Sequence, residues 1–475
     1  MVYFSSLVNK SGLIVDQSSI VGRFGFSLHR EVLNKFCNSL YNYYMNNGYK
    51  RLCVGIDGTS CVSSILYDIL IPNLKNTGLV SCIPEKPSTL PQFMWFCKES
   101  PNKSLGVYFK AINIDEHIEI VLIEGDKLLP PKNIKQLLKT TTILKINTLQ
   151  GYEEDDQEFF NIDGYSKYLF DTKLVTPYPA TINIDTMFGS SYYLLKELKK
   201  QQGLSIGLHN LQIEPPRFKN YISKPTGQFL RWHTTLSSVK PDQYFFALDS
   251  AGLNLGVFDL KQNIEISSAG IGILLVKYLK DIQKLTSATI AISTTVNSRL
   301  LKYIKKIGYT CLRVSGGLNE ITTILDKKKI DLFVDEQGGY YFGTDSVRCF
   351  NPLIAIFKLV ELSIKEQKSF GEMLDVINSS LLKDIIYHNN FFLASNFISI
   401  EEIVNKLSLD PDLKRAKYTK QVTSVLFKDK SKVHIKNNRK ETILEIFIES
   451  YSGDRAIALG SSILDLLKEK THETI

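Results

Sequence analysis

The sequence predicts an α/β protein of several domains with largely parallel sheets, in which three α/β blocks precede a C-terminal block of different character. The length, 475 residues, is about three or four times that of a typical domain. Apolar runs of strand length alternate with amphipathic stretches of helix length three times over, the order that builds parallel layers covered by helices. That alternation stops after residue 365.

The first block opens with a strand at Arg51–Ile56 (RLCVGI), a near-continuous apolar run of the kind buried on both faces. An amphipathic helix over Ser63–Leu74 follows, with Gly78 to end it, and then strands at Gly106–Ile112 and Ile118–Ile123. The second block runs strand Ala180–Asp185, helix Ser190–Lys200 and strand Ser205–Leu208, and closes on the strand–turn–strand pair Tyr244–Asp249 and Leu255–Asp259. The third has helix Ile271–Lys284, strand Thr289–Ser293, helix Asn297–Ile307 stopped by Gly308, strand Thr310–Val314, helix Leu318–Lys327 and strand Asp331–Val334. Beyond it lie helices at Phe370–Ser380 and Ser399–Leu407, a stretch over Pro411–Lys440 with ten Lys or Arg, a strand at Ile443–Ile448 and a helix at Gly453–Lys468. Boundaries are expected near the acidic run Glu153–Asp156, the turn Lys261–Asn263 and Gln367, giving domains over 1–150, 151–260, 261–366 and 367–475.

Composition excludes several classes. Apolar residues at 44%, with 22% charged and 11% aromatic, are those of a folded globular chain. The longest apolar stretches, such as Gly270–Val276, fall short of the ~18 residues that span a bilayer. The N-terminus shows no basic region followed by an apolar core, so a soluble cytoplasmic protein without a membrane partner is expected. The net charge of +8 is small for this length. The basic stretch Lys414–Lys440 interleaves only with Tyr418, Phe427 and His434, too few aromatics for a base-stacking platform, so no nucleic-acid partner is expected. Seven cysteines, never spaced C-x-x-C, argue against a zinc ribbon and for reduced, buried thiols. Seven scattered histidines show no metal-ligand spacing, and neither a nucleotide fingerprint, a phosphate loop nor a G-x-S-x-G elbow is complete.

A series of weak motifs in a fixed order does carry information. Phe24-Gly25-Phe26-Ser27-Leu28-His29-Arg30 resembles F-G-T-[DS]-G-x-R, and Val54-Gly55-Ile56-Asp57 resembles V-G-R-D. Asp185-Thr186-Met187-Phe188-Gly189 resembles D-P-M-H-G. Glu214-Pro215-Pro216-Arg217-Phe218 with Lys224-Pro225 is similar to D-P-x-F…P-E-P, and Asn351-Pro352-Leu353 stands where R-D-G-I leads into a helix. These are landmarks of the α-D-phosphohexomutase superfamily, the phosphoglucomutases and phosphomannomutases, and the resemblance runs nearly end to end. It implies three similar α/β domains and a smaller C-terminal α+β domain, TBP-like, around a central cleft.

The resemblance also implies four sites. The phosphoserine of T-A-S-H-N-P falls on Ile112 when Gly106-Val107-Tyr108-Phe109 is matched to the preceding strand, and Ile has no oxygen to carry phosphate. The gapless alternative puts Cys97-Lys98-Glu99-Ser100-Pro101 in that loop and supplies Ser100. The magnesium loop D-G-D-x-D-R reads Asp249-Ser250-Ala251-Gly252-Leu253-Asn254, keeping one carboxylate where a small hard cation wants several oxygens. The sugar loop G-E-x-S-G reads Asp335-Glu336-Gln337-Gly338-Gly339, keeping Glu336 and Gly339. The phosphate loop R-x-S-G-T-E-P reads as the basic segment holding Lys436, Arg439 and Lys440. With Arg30 of the opening motif, these are the residual sugar- or phosphate-binding candidates. Nucleophile, metal loop and phosphate loop depart together, and loss of a nucleophile alone costs several orders of magnitude in rate. The expectation is a catalytically inactive phosphohexomutase-like protein that binds a partner protein or a phosphosugar, with no cofactor. The alternatives are an active mutase interconverting hexose 1- and 6-phosphates, which would need magnesium, and a structural subunit without a ligand.

Overall fold

The computed structural model describes residues 13–15, 19–23, 25–58, 70–76, 81–84, 86–100, 103–112, 117–139, 158–160, 163–187, 189–201, 203–209, 236, 239–240, 243–381, 387–394, 398–419, 422–438 and 443–473. Phe24, Phe188, the motifs at 214–218 and 224–225, the larger part of the helix expected over 63–74, and Arg439 and Lys440 lie outside the described residues.

Four sheets order the chain. The first runs Ile14–Val15, Ser19–Arg23, His117–Glu124, Ser104–Ala111, Arg51–Ile56, Ser81–Pro84, Glu158–Phe160, with Lys127–Leu128 turned back onto His117–Glu124. Its last four strands are parallel and the others antiparallel. The second sheet runs Ser205–His209, Thr181–Asp185, Tyr244–Leu248, Leu255–Asp259, Ile264–Ile266, with its first three strands parallel. The third runs Thr310–Val314, Thr289–Ser293, Leu332–Val334, Tyr340–Phe342, again with three parallel strands first. The fourth is wholly antiparallel: Tyr387–Ala394, Ile443–Ser450, Lys432–Asn438, Val422–Phe427, Leu413–Tyr418.

The helices follow their local chemistry. Ser267 caps Ser268–Asp281 by accepting from the Gly270 N–H at 3.2 Å. Asn297 caps Ser298–Ile307, which Gly308 ends in the left-handed conformation. Ser399 and Glu402 form a reciprocal capping box on Ile400–Ser408. Pro352 opens Pro352–Glu366, a helix buried on most sides and accordingly apolar over most of its length.

The sheets divide the chain somewhat differently from the boundaries expected from sequence. Glu158–Phe160 pairs with Ser81–Pro84, so the first sheet extends past 150. Ile264–Ile266 belongs to the second sheet, past 260. Phe370–Leu381 sends Phe370, Met373 and Ile377 into the apolar cluster of the second and third units, so it packs with them rather than with the C-terminal sheet. Helices Arg30–Asn46 and Leu90–Glu99 were not anticipated. The first is rich in Asn and Tyr, which lowers intrinsic helix propensity. The second buries most of its length and shows little periodicity. The basic stretch after Pro411 folds into three strands, and in the last of them Lys432, His434 and Lys436 alternate with buried Val433 and Ile435. No described helix is long and apolar enough to cross a membrane.

The apolar clusters join the first three units. One spans the second and third sheets with their helices. Another fills the first unit. A third brings Leu90, Phe93, Met94, Cys97 and Tyr108 of the first unit together with Ala251 and Leu253 of the second and Phe333, Val347 and Phe350 of the third.

Candidate functional site

Parallel strands deliver side chains to the edge where they end, and in open α/β sheets ligands bind at that carboxyl edge. Asp57 follows Arg51–Ile56, Ala111 ends the neighbouring strand with Ile112 just after it, and Asp249 follows Tyr244–Leu248. Ser293 ends Thr289–Ser293 and Asp335 follows Leu332–Val334. Hydrogen bonds tie these ends into one region. Asp57 accepts from the Ala111 N–H at 2.9 Å and from the Ser250 hydroxyl at 3.1 Å. The Leu255 N–H donates to the Gly338 carbonyl at 3.0 Å, bringing the Asp249 hairpin against the loop of Glu336.

The Asp249 turn is closed on itself. One carboxylate oxygen accepts from the Leu253 N–H at 2.6 Å and the Asn254 N–H at 3.2 Å, and the other from the Asn254 amide at 2.7 Å. Burial pushes this carboxyl up from its ordinary pKa, against the pull of Lys110. Ala251 and Leu253 are 2% and 4% exposed, and the Ala251 carbonyl accepts from the Leu90 N–H at 2.9 Å. A magnesium ion does not fit this donor set: the single carboxylate is committed to the turn, and the neighbouring positions present apolar groups. Among the described residues no group of three or more His, Cys, Asp or Glu is placed to hold a metal ion. Gly189 backs the turn so closely that a Cβ there would run into the Ser250 backbone. Gly189→Ala is therefore expected to displace the turn and to cost roughly 1–3 kcal/mol, read as a lowered midpoint in urea melting.

Ile112, at the position matched to the phosphoserine, is 8% exposed and donates its N–H to the His117 carbonyl at 2.9 Å. Residues 113–116 lie outside the described residues. Ser100, the alternative, stands at the opposite end of the sheet. It follows the helix Leu90–Glu99 and accepts from Arg51 at 3.2 Å, where Arg51 pairs with Ser104 at the start of both strands. The edge at Ile56 and Phe109 is a strand's length away, roughly 17 Å.

Sequence reasoning passed over Lys110, a cation near this edge of the first sheet whose side chain is 18% exposed. Its ammonium lies 3.0 Å from Glu119. Burial lowers its pKa, but Glu119, Asp249 and Asp57 outweigh that and raise it. The signal available was a lysine one residue beyond a buried run, too common to single out.

Glu336 and Lys436, both singled out from sequence, meet each other. They form a buried ion pair, and Lys436 also lies 3.6 Å from Glu445, its cross-strand neighbour. Burial and the adjacent Glu336 push the Asp335 carboxyl well up. Burial opposes ionisation of Glu336 too, but Lys436 holds it down. Gly339 is explained by packing, since a Cβ there would meet the Phe350 ring at 2.5 Å. Arg30 is the exposed first residue of Arg30–Asn46. Gln337, Glu445 and Glu449, which no sequence pattern singles out, complete the contact between the third and fourth units: Gln337 donates to Glu445 at 3.1 Å.

Residues 268–379 match the family described as phosphoglucomutase/phosphomannomutase, alpha/beta/alpha domain III. Solved structures share the fold along the whole chain. A protein of Thermus thermophilus described as a phosphomannomutase superposes with a TM-score of 0.75 at 15% identity, covering 96% of this chain and 99% of that one. A phosphoglucomutase/phosphomannomutase family protein of Burkholderia thailandensis gives 0.73 at 14% identity, over 99% and 98%. The exocytosis-sensitive phosphoprotein parafusin of Paramecium, a phosphoglucomutase in its open form, gives 0.69 at 14%, over 96% and 95%. No curated protein sequence matches. At these identities the likeness is one of fold.

Proposed function

We propose that this chain, with the phosphohexomutase fold along its length and a match to domain III of the phosphoglucomutase/phosphomannomutase family over residues 268–379, is a member of the α-D-phosphohexomutase superfamily that has kept the architecture, lost the chemistry and acts by binding a partner protein or a phosphosugar. The observation that carries this reading is the Asp249 turn. Where the superfamily's magnesium loop would present alternating carboxylates, this chain buries Ala251 and Leu253 in an apolar cluster shared by three units. Ile112 adds to it, because a hydrocarbon side chain at the phosphoserine position can neither donate nor receive a phosphoryl group. The six cysteines among the described residues are free thiols, five of them buried, which supports a reducing, cytoplasmic setting.

The test is a coupled mutase assay with glucose 1-phosphate or mannose 1-phosphate, magnesium and a hexose bisphosphate activator. The expected result is the rate of the blank. Turnover that disappears in Asp249→Ala would show that the protein is an active mutase. Ligand-induced thermal shift with the same sugar phosphates then separates a phosphosugar-binding protein, which gains stability in proportion to occupancy, from one whose ligand is another protein.

A further inference from the structure

We propose that Lys436 is an internal lock, holding the C-terminal unit closed on the third unit with no bound ligand. The apolar clusters define the need for one. The first three units share cores, whereas the cluster of the C-terminal unit contains only its own residues, Ile398 to Ile463, among those described. Polar groups carry the junction instead. Lys436 pairs with Glu336. Gln337 donates to Glu445. Ser298, at the start of its helix, donates its N–H to one Glu449 oxygen at 2.6 Å and its hydroxyl to the other at 2.9 Å. Lys432 lies 3.5 Å from Glu449.

The charge count makes Lys436 the critical member. Four carboxylates, Asp335, Glu336, Glu445 and Glu449, converge on this junction, with Asp335, Glu445 and Glu449 at most 5% exposed and the Glu336 side chain 5% exposed. Lys436 and Lys432 face them, with His434 near Glu449. Of the two lysines, Lys436 is the more deeply placed, and it touches carboxylates of both units. Moving the C-terminal unit away would break the Lys436–Glu336 pair, whose side chains are 17% and 5% exposed, and separating a pair held largely out of water is unfavourable. Polar junctions between units ordinarily permit relative motion. A charge pair buried at the centre of this one favours a single arrangement. A cleft waiting for a ligand keeps convergent polar groups for that ligand; here Glu336 and Lys436 are engaged with each other.

The lock is independent of whether the chain turns over a substrate, so it stands or falls apart from the mutase assay. The test uses the full chain, with small-angle scattering for overall size and hydrogen exchange over residues 332–340 and 443–450. The parent is expected to keep one radius of gyration with and without millimolar glucose 1-phosphate or mannose 1-phosphate. Lys436→Met is expected to expand the molecule and to speed exchange in both segments by roughly tenfold or more, while residues 289–293 and 354–360 keep the parent's protection. Should that variant not fold, Glu336→Gln combined with Lys436→Met leaves no unpaired partner of the pair and carries the same readouts. A parent that contracts on adding either sugar phosphate would overturn the proposal. So would a folded variant whose size and exchange match the parent's.

Discussion

A chain carrying Ala251→Asp and Leu253→Asp should melt far below the parent and recover little in magnesium. Leu253 is 4% exposed and Ala251 2% exposed, in the cluster that joins three units. Withdrawing the Leu side chain forfeits roughly 1.5–3 kcal/mol, and a buried carboxylate costs several kcal/mol unless it is paired or protonated. Asp249 and Asp57 already stand at this edge, and Lys110 is already 3.0 Å from Glu119. The expected loss is about 4 kcal/mol or more, a large share of a typical domain's stability. Urea and thermal melts of parent and double variant, with and without millimolar magnesium, measure it. A variant as stable as the parent, or one that the ion stabilises strongly, would mean that the turn still has the shape of a metal site.

Replacing Lys358 should have the opposite sign. This lysine, on the buried helix Pro352–Glu366, is 5% exposed, with its ammonium 5.0 Å from the Tyr278 ring centre and 5.4 Å from that of Phe342. Glu361, which attracts it, is itself engaged by Lys365 at 2.9 Å and by the Tyr278 hydroxyl at 2.7 Å. Burial brings the Lys358 pKa down from 10.5 to about 8. The unfolded chain then binds more protons than the native one between those values, so this group's contribution to stability rises with pH across that window. The penalty is complete below pH 8 and relieved above 10.5. At neutral pH it amounts to about 3 kcal/mol, offset in part by the two ring contacts, each about 0.5–2 kcal/mol. Lys358→Met, which keeps the volume and drops the charge, should stabilise the protein by up to about 2 kcal/mol at pH 7. The gap from the parent should narrow as pH rises above 8, as followed by urea melts over that range. A destabilised variant, or a gap that does not change with pH, would show that the rings fully compensate the buried charge.

The candidate site was legible where backbone pattern carried it and illegible where charge pairing did. Asp249, Ala251 and Leu253 could be placed because YFFAL and LGVFD flank them as two paired strands. Glu336 and Lys436 were each singled out for a ligand, separately, because they stand 100 residues apart. Lys110 and Glu445 were passed over, because a single charged residue on a strand gives no sign of what faces it.

The sequence by itself determined the α/β class, the three strand–helix alternations, most element positions in the third unit, and the order of landmarks that resembles the superfamily. Those properties are local: they rest on side-chain periodicity, caps and glycines acting over a few residues. Thr289–Ser293 and Thr310–Val314 were read to the residue for that reason. Only the tertiary structure decided that Ser100 lies at the wrong end of its sheet, that Leu253 covers a core, and that Lys436 neutralises Glu336. Each of these depends on distance between segments remote in sequence, and burial and Coulomb attraction are set by that distance, not by the residues alone.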